Sequence, residues 1–180
     1  MNACVAAETA LGEVDDLAPV EWRFWLASRL EEYAKWFKER SRPEHYGTLC
    51  QNAGFVHQVR AEEHEARGML RDARQDITRA LKWYKMAAEI RTRLRDPRMV
   101  AQTDVRVGQS HTISARIDCR LGNYRSARSS LRLAEKCADR AEATYRRIPQ
   151  ESIRLKHVAN LRARIEEVRK MLLHAAGGSP

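Results

Sequence analysis

The chain has 180 residues, 33 Lys+Arg against 24 Asp+Glu, and a formal net charge of +9. Its 8 Gly and 5 Pro are too few for a turn-dense β-sandwich, and its 43% apolar content, recurring with helical periods, excludes disorder. No run of about 18 apolar residues offers a transmembrane span.

Residues 1–21 carry Glu8, Glu13, Asp15, Asp16 and Glu21 and no Lys or Arg. That pattern lacks the basic start of a secretory signal. Residues 1–18 are expected to form an acidic arm, held against a basic body as a competitor for anionic partners. Cys4, Cys50, Cys119 and Cys137 contain no Cys-x-x-Cys pair, so reduced thiols and a cytoplasmic setting are expected.

Prolines divide the rest of the chain. Pro19, Pro43, Pro97 and Pro149 each suit the first turn of a helix and none suits an interior. Ser41-Arg-Pro-Glu44 reads as a capping box, and Asp96-Pro97 as a cap followed by a first-turn proline. Gly68 and Gly122 suit the left-handed residue that closes a helix, and Asn123 is placed to cap the next one. These marks predict an all-α domain over 19–175 with about six long antiparallel helices, at 20–41, 44–67, 70–95, 98–121, 124–147 and 150–174. Residues 176–180 are expected to be a flexible tail.

The first predicted helix is aromatic. Trp22, Leu26, Leu30, Tyr33 and Phe37 fall on one face at helical spacing and are expected to pack on the next hairpin. Phe24 adds to its aromatic content, and Trp25 and Trp36 sit beside the stripe near Arg29 and Arg40. An exposed aromatic–arginine edge of this kind would serve a protein partner or a second copy of the chain.

The middle of the chain repeats with an offset of 54. Pro43, Gly54, His57, Ala61, Gly68, Ala73, Arg74, Ala80, Lys82, Ala87 and Arg93 recur as Pro97, Gly108, His111, Ala115, Gly122, Ala127, Arg128, Ala134, Lys136, Ala141 and Arg147. Chance matching at this composition gives roughly 4 such identities. Gly122-Asn-Tyr124-Arg-Ser-Ala127 with Leu131 and Ala134 resembles the turn and second helix of a tetratricopeptide repeat. Gly68-Met-Leu70-Arg-Asp-Ala73 with Ile77 and Ala80 follows the same pattern, and Ala61 and Ala115 fall where that family places a small residue. The period of about 54 departs from the family's usual 34, and His57, His64, His111 and Asp118 stand where it has aromatics.

The resemblance implies three right-handed stacked hairpins and a non-enzymatic scaffold or adaptor for a protein or peptide. It also implies a partner-binding concave face from Phe55, Gln58, Glu62 and Glu65 in one repeat and Gln109, Thr112, Arg116 and Cys119 in the next.

No catalytic signature is present: the chain lacks a Gly-rich phosphate loop, a His-Glu-x-x-His helix and a nucleophile elbow. No cofactor is expected. His57 and His111 are read as packing residues, because stacked helices about 8–10 Å apart separate them too far to share one zinc. Glu62, Glu63 and Glu65 around His64 read as a solvated charged face. At 100° per residue, Arg67, Arg71, Arg74, Lys82 and Lys85 form one basic stripe, and Arg125, Arg132, Lys136, Arg140 and Arg147 form another, diluted by Asp139. These stripes make nucleic-acid backbone, or another polyanion, the alternative partner.

Overall fold

The computed structural model describes residues 43–177, together with 29, 30, 32, 33, 35, 36 and 38. The acidic arm, the Ser41 capping box, Cys4, Trp22, Phe24, Trp25 and Phe37 lie outside the described residues. The described part is all helical. It comprises α1 (Pro43–Ala66), α2 (Leu70–Arg93), α3 (Pro97–Arg120), α4 (Tyr124–Arg147), a 3-10 segment (Pro149–Arg154) and α5 (Leu155–Gly177).

The offset of 54 holds to the residue. Each boundary of α1 and α2 plus 54 gives the matching boundary of α3 and α4, and all four helices are 24 residues long. The closing signals explain why. Gly68 and Gly122 adopt φ values of 77° and 76°, which a glycine takes without steric cost. At the first turn the Met69 N–H donates to the His64 carbonyl and the Gly68 N–H to the Glu65 carbonyl. Asn123 and Gly122 repeat this pair of bonds to Asp118 and Cys119. Both turns are therefore Schellman closures.

Asp96 caps α3 by accepting from the Met99 N–H at 3.0 Å. Asn123 does not fulfil its expected role, since its side chain makes no capping bond to α4. Two helix limits also need correction. α2 ends at Arg93 and not at 95, because Arg95 takes a left-handed φ of 55° and the Asp96 N–H closes onto the Arg91 carbonyl. The last helix begins at Leu155 and not at 150. Pro149 instead opens a 3-10 segment, and the nearly buried Glu151 on that segment pairs with Arg98 of α3 at 2.9 Å.

The count of six helices and three hairpins is revised in the same way. Among the described residues there are two complete hairpins, α1–α2 and α3–α4, and five complete α-helices. α5 packs on α4 and α3 as a single helix.

Small residues on α2 and α4 make the core. Ala73, Ile77, Ala80, Tyr84 and Ala87 are buried on α2, and Ala127, Leu131, Ala134, Ala138 and Ala141 on α4. One cluster joins α1, α2 and α3 through Ala61, Ala73, Ile77, Ala80, Tyr84, Ile113 and Ile117. A second joins α3 and α4 to Val158, Leu161, Ile165, Val168 and Leu172 of α5, a single stripe at helical spacing. At the other end Leu30 packs with Leu49, Ala53 and Val56. Tyr33, expected on that buried stripe, is 49% exposed. Trp36 is similarly exposed at 45%.

Ala61 and Ala115 are completely buried at equivalent places in the two hairpins. Replacing either with leucine is expected to cost about 1–3 kcal/mol by overpacking. Thermal melts followed by circular dichroism test this, and two variants that melt like the parent would contradict the close helix approach at both places.

Candidate functional site

Two buried polar junctions hold α1 against its neighbours and set what α1 and α3 present outward. At the first, the Gln58 side-chain carbonyl accepts from the Tyr84 hydroxyl at 3.3 Å and from the Ser110 hydroxyl at 3.0 Å. One amide of α1 thereby ties together α2 and α3. At the second, the Glu65 carboxylate is 4% exposed and receives a two-pronged contact from Arg116, at 2.8 Å from Nε and 2.7 Å from Nη2. Arg120 adds a bond to the Glu65 backbone carbonyl at 2.9 Å. A forked arginine contact of this kind fixes direction as well as distance. The hydrogen bond to Glu65 holds the Arg116 guanidinium protonated more firmly than usual, against the opposing effect of burial.

Around these junctions α1 and α3 contribute half-buried polar residues, and α5 adds the exposed Arg164 and Glu167. The Arg106 guanidinium of α3 lies 4.8 Å from the ring centre of Phe55 on α1, a cation–π contact. Its Nη1 also approaches the Gln109 side-chain oxygen at 3.5 Å. Glu62 of α1 feels Arg106 and Arg116 of α3 and Arg164 of α5. Burial raises its carboxyl above the ordinary range, opposed by those three cations and reinforced by Glu65. Glu167 of α5 lies within the field of Arg116. The face is an amphoteric strip: one aromatic ring, an amide, two carboxylates and three guanidinium groups.

The eight residues expected to bind a partner divide evenly. Phe55, Glu62, Gln109 and Arg116 are half-buried and belong to this strip. Gln58, Glu65, Thr112 and Cys119 are buried. The first two form the junctions, and the Thr112 hydroxyl donates to the Gly108 carbonyl of its own helix. These four are therefore corrected to internal residues: α1 and α3 are covered on more than one side, so an inward register points into a neighbouring helix. The reading of Glu62, Glu63 and Glu65 as a solvated face fails for the same reason. Arg106, Arg164 and Glu167 belong to the strip and were missed. Arg106 falls three residues before Gln109, one turn along the same face, and this spacing was the available signal.

The histidines serve an internal acid. Asp76 is 2% exposed. His64 Nδ1 lies 2.9 Å from one of its oxygens, and the other oxygen has Arg60 at 3.3 Å and His57 Nδ1 at 3.5 Å. Burial acts to raise the Asp76 carboxyl, but His57, Arg60 and His64 outweigh it and hold the group below its usual range. Among the described residues no group of three or more His, Cys, Asp or Glu side chains is arranged to hold a metal ion. His111 is half-buried, and burial with the nearby Arg140 lowers its pKa. Cys50, Cys119 and Cys137 are buried free thiols, each pushed up by burial, Cys50 to about 12.

All ten residues of the two basic stripes are exposed. Arg74 pairs with the buried Asp118 at 2.7 Å and Arg140 with Asp104 at 2.5 Å. Arg128 belongs with the second stripe: it is exposed and occupies the position equivalent to Arg74. No described helix is long and apolar enough to cross a membrane. Comparison with family models, with curated proteins and with solved structures finds no match to this chain.

Proposed function

We propose that this protein is a non-enzymatic scaffold, similar in plan to a tetratricopeptide-repeat array, that holds a protein or peptide on the α1–α3–α5 face. The observation that carries this reading is the strip running from Phe55 and Arg106 through Glu62 to Arg116 and Arg164. It offers an aromatic surface and charges of both signs, exposed at Arg164 and half-buried on α1 and α3, helices fixed from behind by the Gln58 and Glu65 junctions. Rigidly mounted aromatic and arginine side chains are the residue types that dominate interface energies. A partner binding here loses little in ordering the scaffold. The cytoplasm is the proposed setting, and the exposed Tyr33 and Trp36 edge is the place where a second copy would dock.

The test is affinity purification under gentle conditions, followed by mass spectrometry, for the parent and for Arg106→Glu combined with Gln109→Arg. Both side chains are half-buried and neither supports a junction. A defined protein partner that disappears with the double variant supports the strip. A partner recovered equally with both forms would exclude it.

A further inference from the structure

We propose that the outer face formed by α2 and α4, on helices other than those of the strip, binds the phosphate backbone of a nucleic-acid duplex without reading its sequence. This inference stands independently of the scaffold reading.

Three observations carry it. The first is register. α2 and α4 bury equivalent positions: Ala73 with Ala127, Ile77 with Leu131, Ala80 with Ala134, Ala87 with Ala141. The side of each helix turned to water is therefore also equivalent, and Arg71 matches Arg125 while Lys82 matches Lys136. Arg74 of α2 and Arg125 of α4 line one open cleft with Tyr124 and Ser126, so the two stripes approach each other at that cleft.

The second is charge balance. The carboxylates at the helix junctions are already committed: Asp104, Asp118, Glu135, Asp139, Glu142 and Glu151 each hold an arginine. Arg71, Lys82, Arg125, Arg128, Arg132 and Lys136 are exposed and have no carboxylate within ion-pair distance among the described residues. The acids on these two helix faces are few. Asp72 lies beside the α2 stripe, Glu89 falls within it four residues after Lys85, and Asp139 interrupts the α4 stripe but is drawn away to Arg162 at 2.8 Å. Arg74 and Arg140 of the same stripes are paired, and a surface that still leaves these six cations unneutralised is complementary to a dense line of negative charge.

The third is reach. From Arg125 to Arg147 the α4 stripe extends about 33 Å at 1.5 Å per residue. One turn of a DNA duplex extends about 34–36 Å. Lysine and arginine tips on α2 and α4 present the point charges that phosphates accept, and backbone contacts carry no base information.

The experiment is a fluorescence-anisotropy titration on short DNA duplexes of two unrelated sequences, at several salt concentrations. The parent is expected to bind both duplexes alike, with log affinity falling linearly in log salt at about 0.9 per phosphate contacted. Lys82→Glu with Lys136→Glu is expected to lower affinity for both duplexes and to reduce that slope by about 2. Lys156→Glu with Lys170→Glu changes net charge equally but lies on α5, and is expected to leave the slope unchanged. Lys82→Gln with Lys136→Gln removes charge without reversing it and should shift the slope in the same direction as the glutamate pair, which guards against a local folding defect. No binding by the parent at low salt would overturn the proposal, as would equal losses in the α2/α4 and α5 variants. Competition by polyglutamate as strong as that by unlabelled duplex would overturn the assignment to phosphate. A strong preference for one duplex would overturn the backbone mode.

Discussion

Replacing Gly54 with valine is expected to destabilise the protein by about 3 kcal/mol, at the upper end of the range for overpacking a closed core. A β-carbon built on Gly54 falls 2.8 Å from two carbons of the Tyr84 ring. That ring is fully buried, and its hydroxyl is held by Gln58. It cannot swing aside without breaking the junction that also engages Ser110. Any gain in helix propensity over glycine, up to about 1 kcal/mol, is too small to offset this. The loss should appear as a fall in Tm of about 2–4 °C per kcal/mol for a chain of this size. Gly68→Ala is the natural reference: no atom lies within 4 Å of the new β-carbon, so only the left-handed backbone resists it, at about 1–2 kcal/mol. If Gly54→Val melts no lower than Gly68→Ala, the close approach of α1 to Tyr84 is wrong.

Asp76 should give the second large effect. Asp76→Asn removes the charge that the His57, Arg60 and His64 side chains surround, and leaves Arg60 beside a neutral amide. Breaking a buried ion pair from one side costs about 3–5 kcal/mol; the 13% exposure of the Arg60 side chain moves the expectation to the lower end, about 3 kcal/mol near neutral pH. The dependence on pH has a definite sign. The folded Asp76 carboxyl lies below its ordinary value of 3.8, so its stabilising contribution is complete above that value and fades as the pH falls through the lower folded one. Urea unfolding of parent and variant, compared from neutral pH downward, should show a gap that narrows below about pH 4. A gap that widens on acidification would contradict the arrangement around Asp76.

The two kinds of helix in this chain were unequally legible. On α2 and α4 one side is buried and the other faces water, so alanine at positions such as 73, 80, 127 and 134 announces the core, and arginine and lysine announce the outside. Both expectations match the structure at the alanines and at all ten stripe residues; Arg91 of α2 is an exception, buried at 3% and donating to Thr103 at 2.6 Å. α1 and α3 are different. Buried residues run around α1 from Leu49, Cys50 and Ala53 through Val56, His57 and Gln58 to Ala61 and Glu65, because α2, α3 and the segment holding Leu30 all touch it. A helix with several neighbours has no single apolar stripe, so sequence periodicity cannot separate a polar residue aimed at water from one aimed at a partner side chain. The tetratricopeptide resemblance placed Gln58 and Glu65 on the concave face and periodicity offered nothing against it, while Asp76 drew no notice even though it stands three residues after Ala73 and four before Ala80, on the edge of the core stripe.

The sequence by itself determined the punctuation of this protein. Pro43, Pro97, Gly68 and Gly122 act through their own backbone preferences and need no distant contact, so they placed helix starts and turns and made the 54-residue repeat visible. Alanines at fixed intervals likewise determined which side of α2 and α4 is packed. Tertiary structure decided the rest. It alone brought Arg116 to Glu65 across 51 residues, His64 and His57 to Asp76, and Arg106 over Phe55. Such contacts arise from the stacking of one hairpin on the next, and the free energy that selects them is the burial of alanine and tyrosine surfaces between helices. Polar partners are chosen afterwards, by whichever donor and acceptor that burial brings within reach.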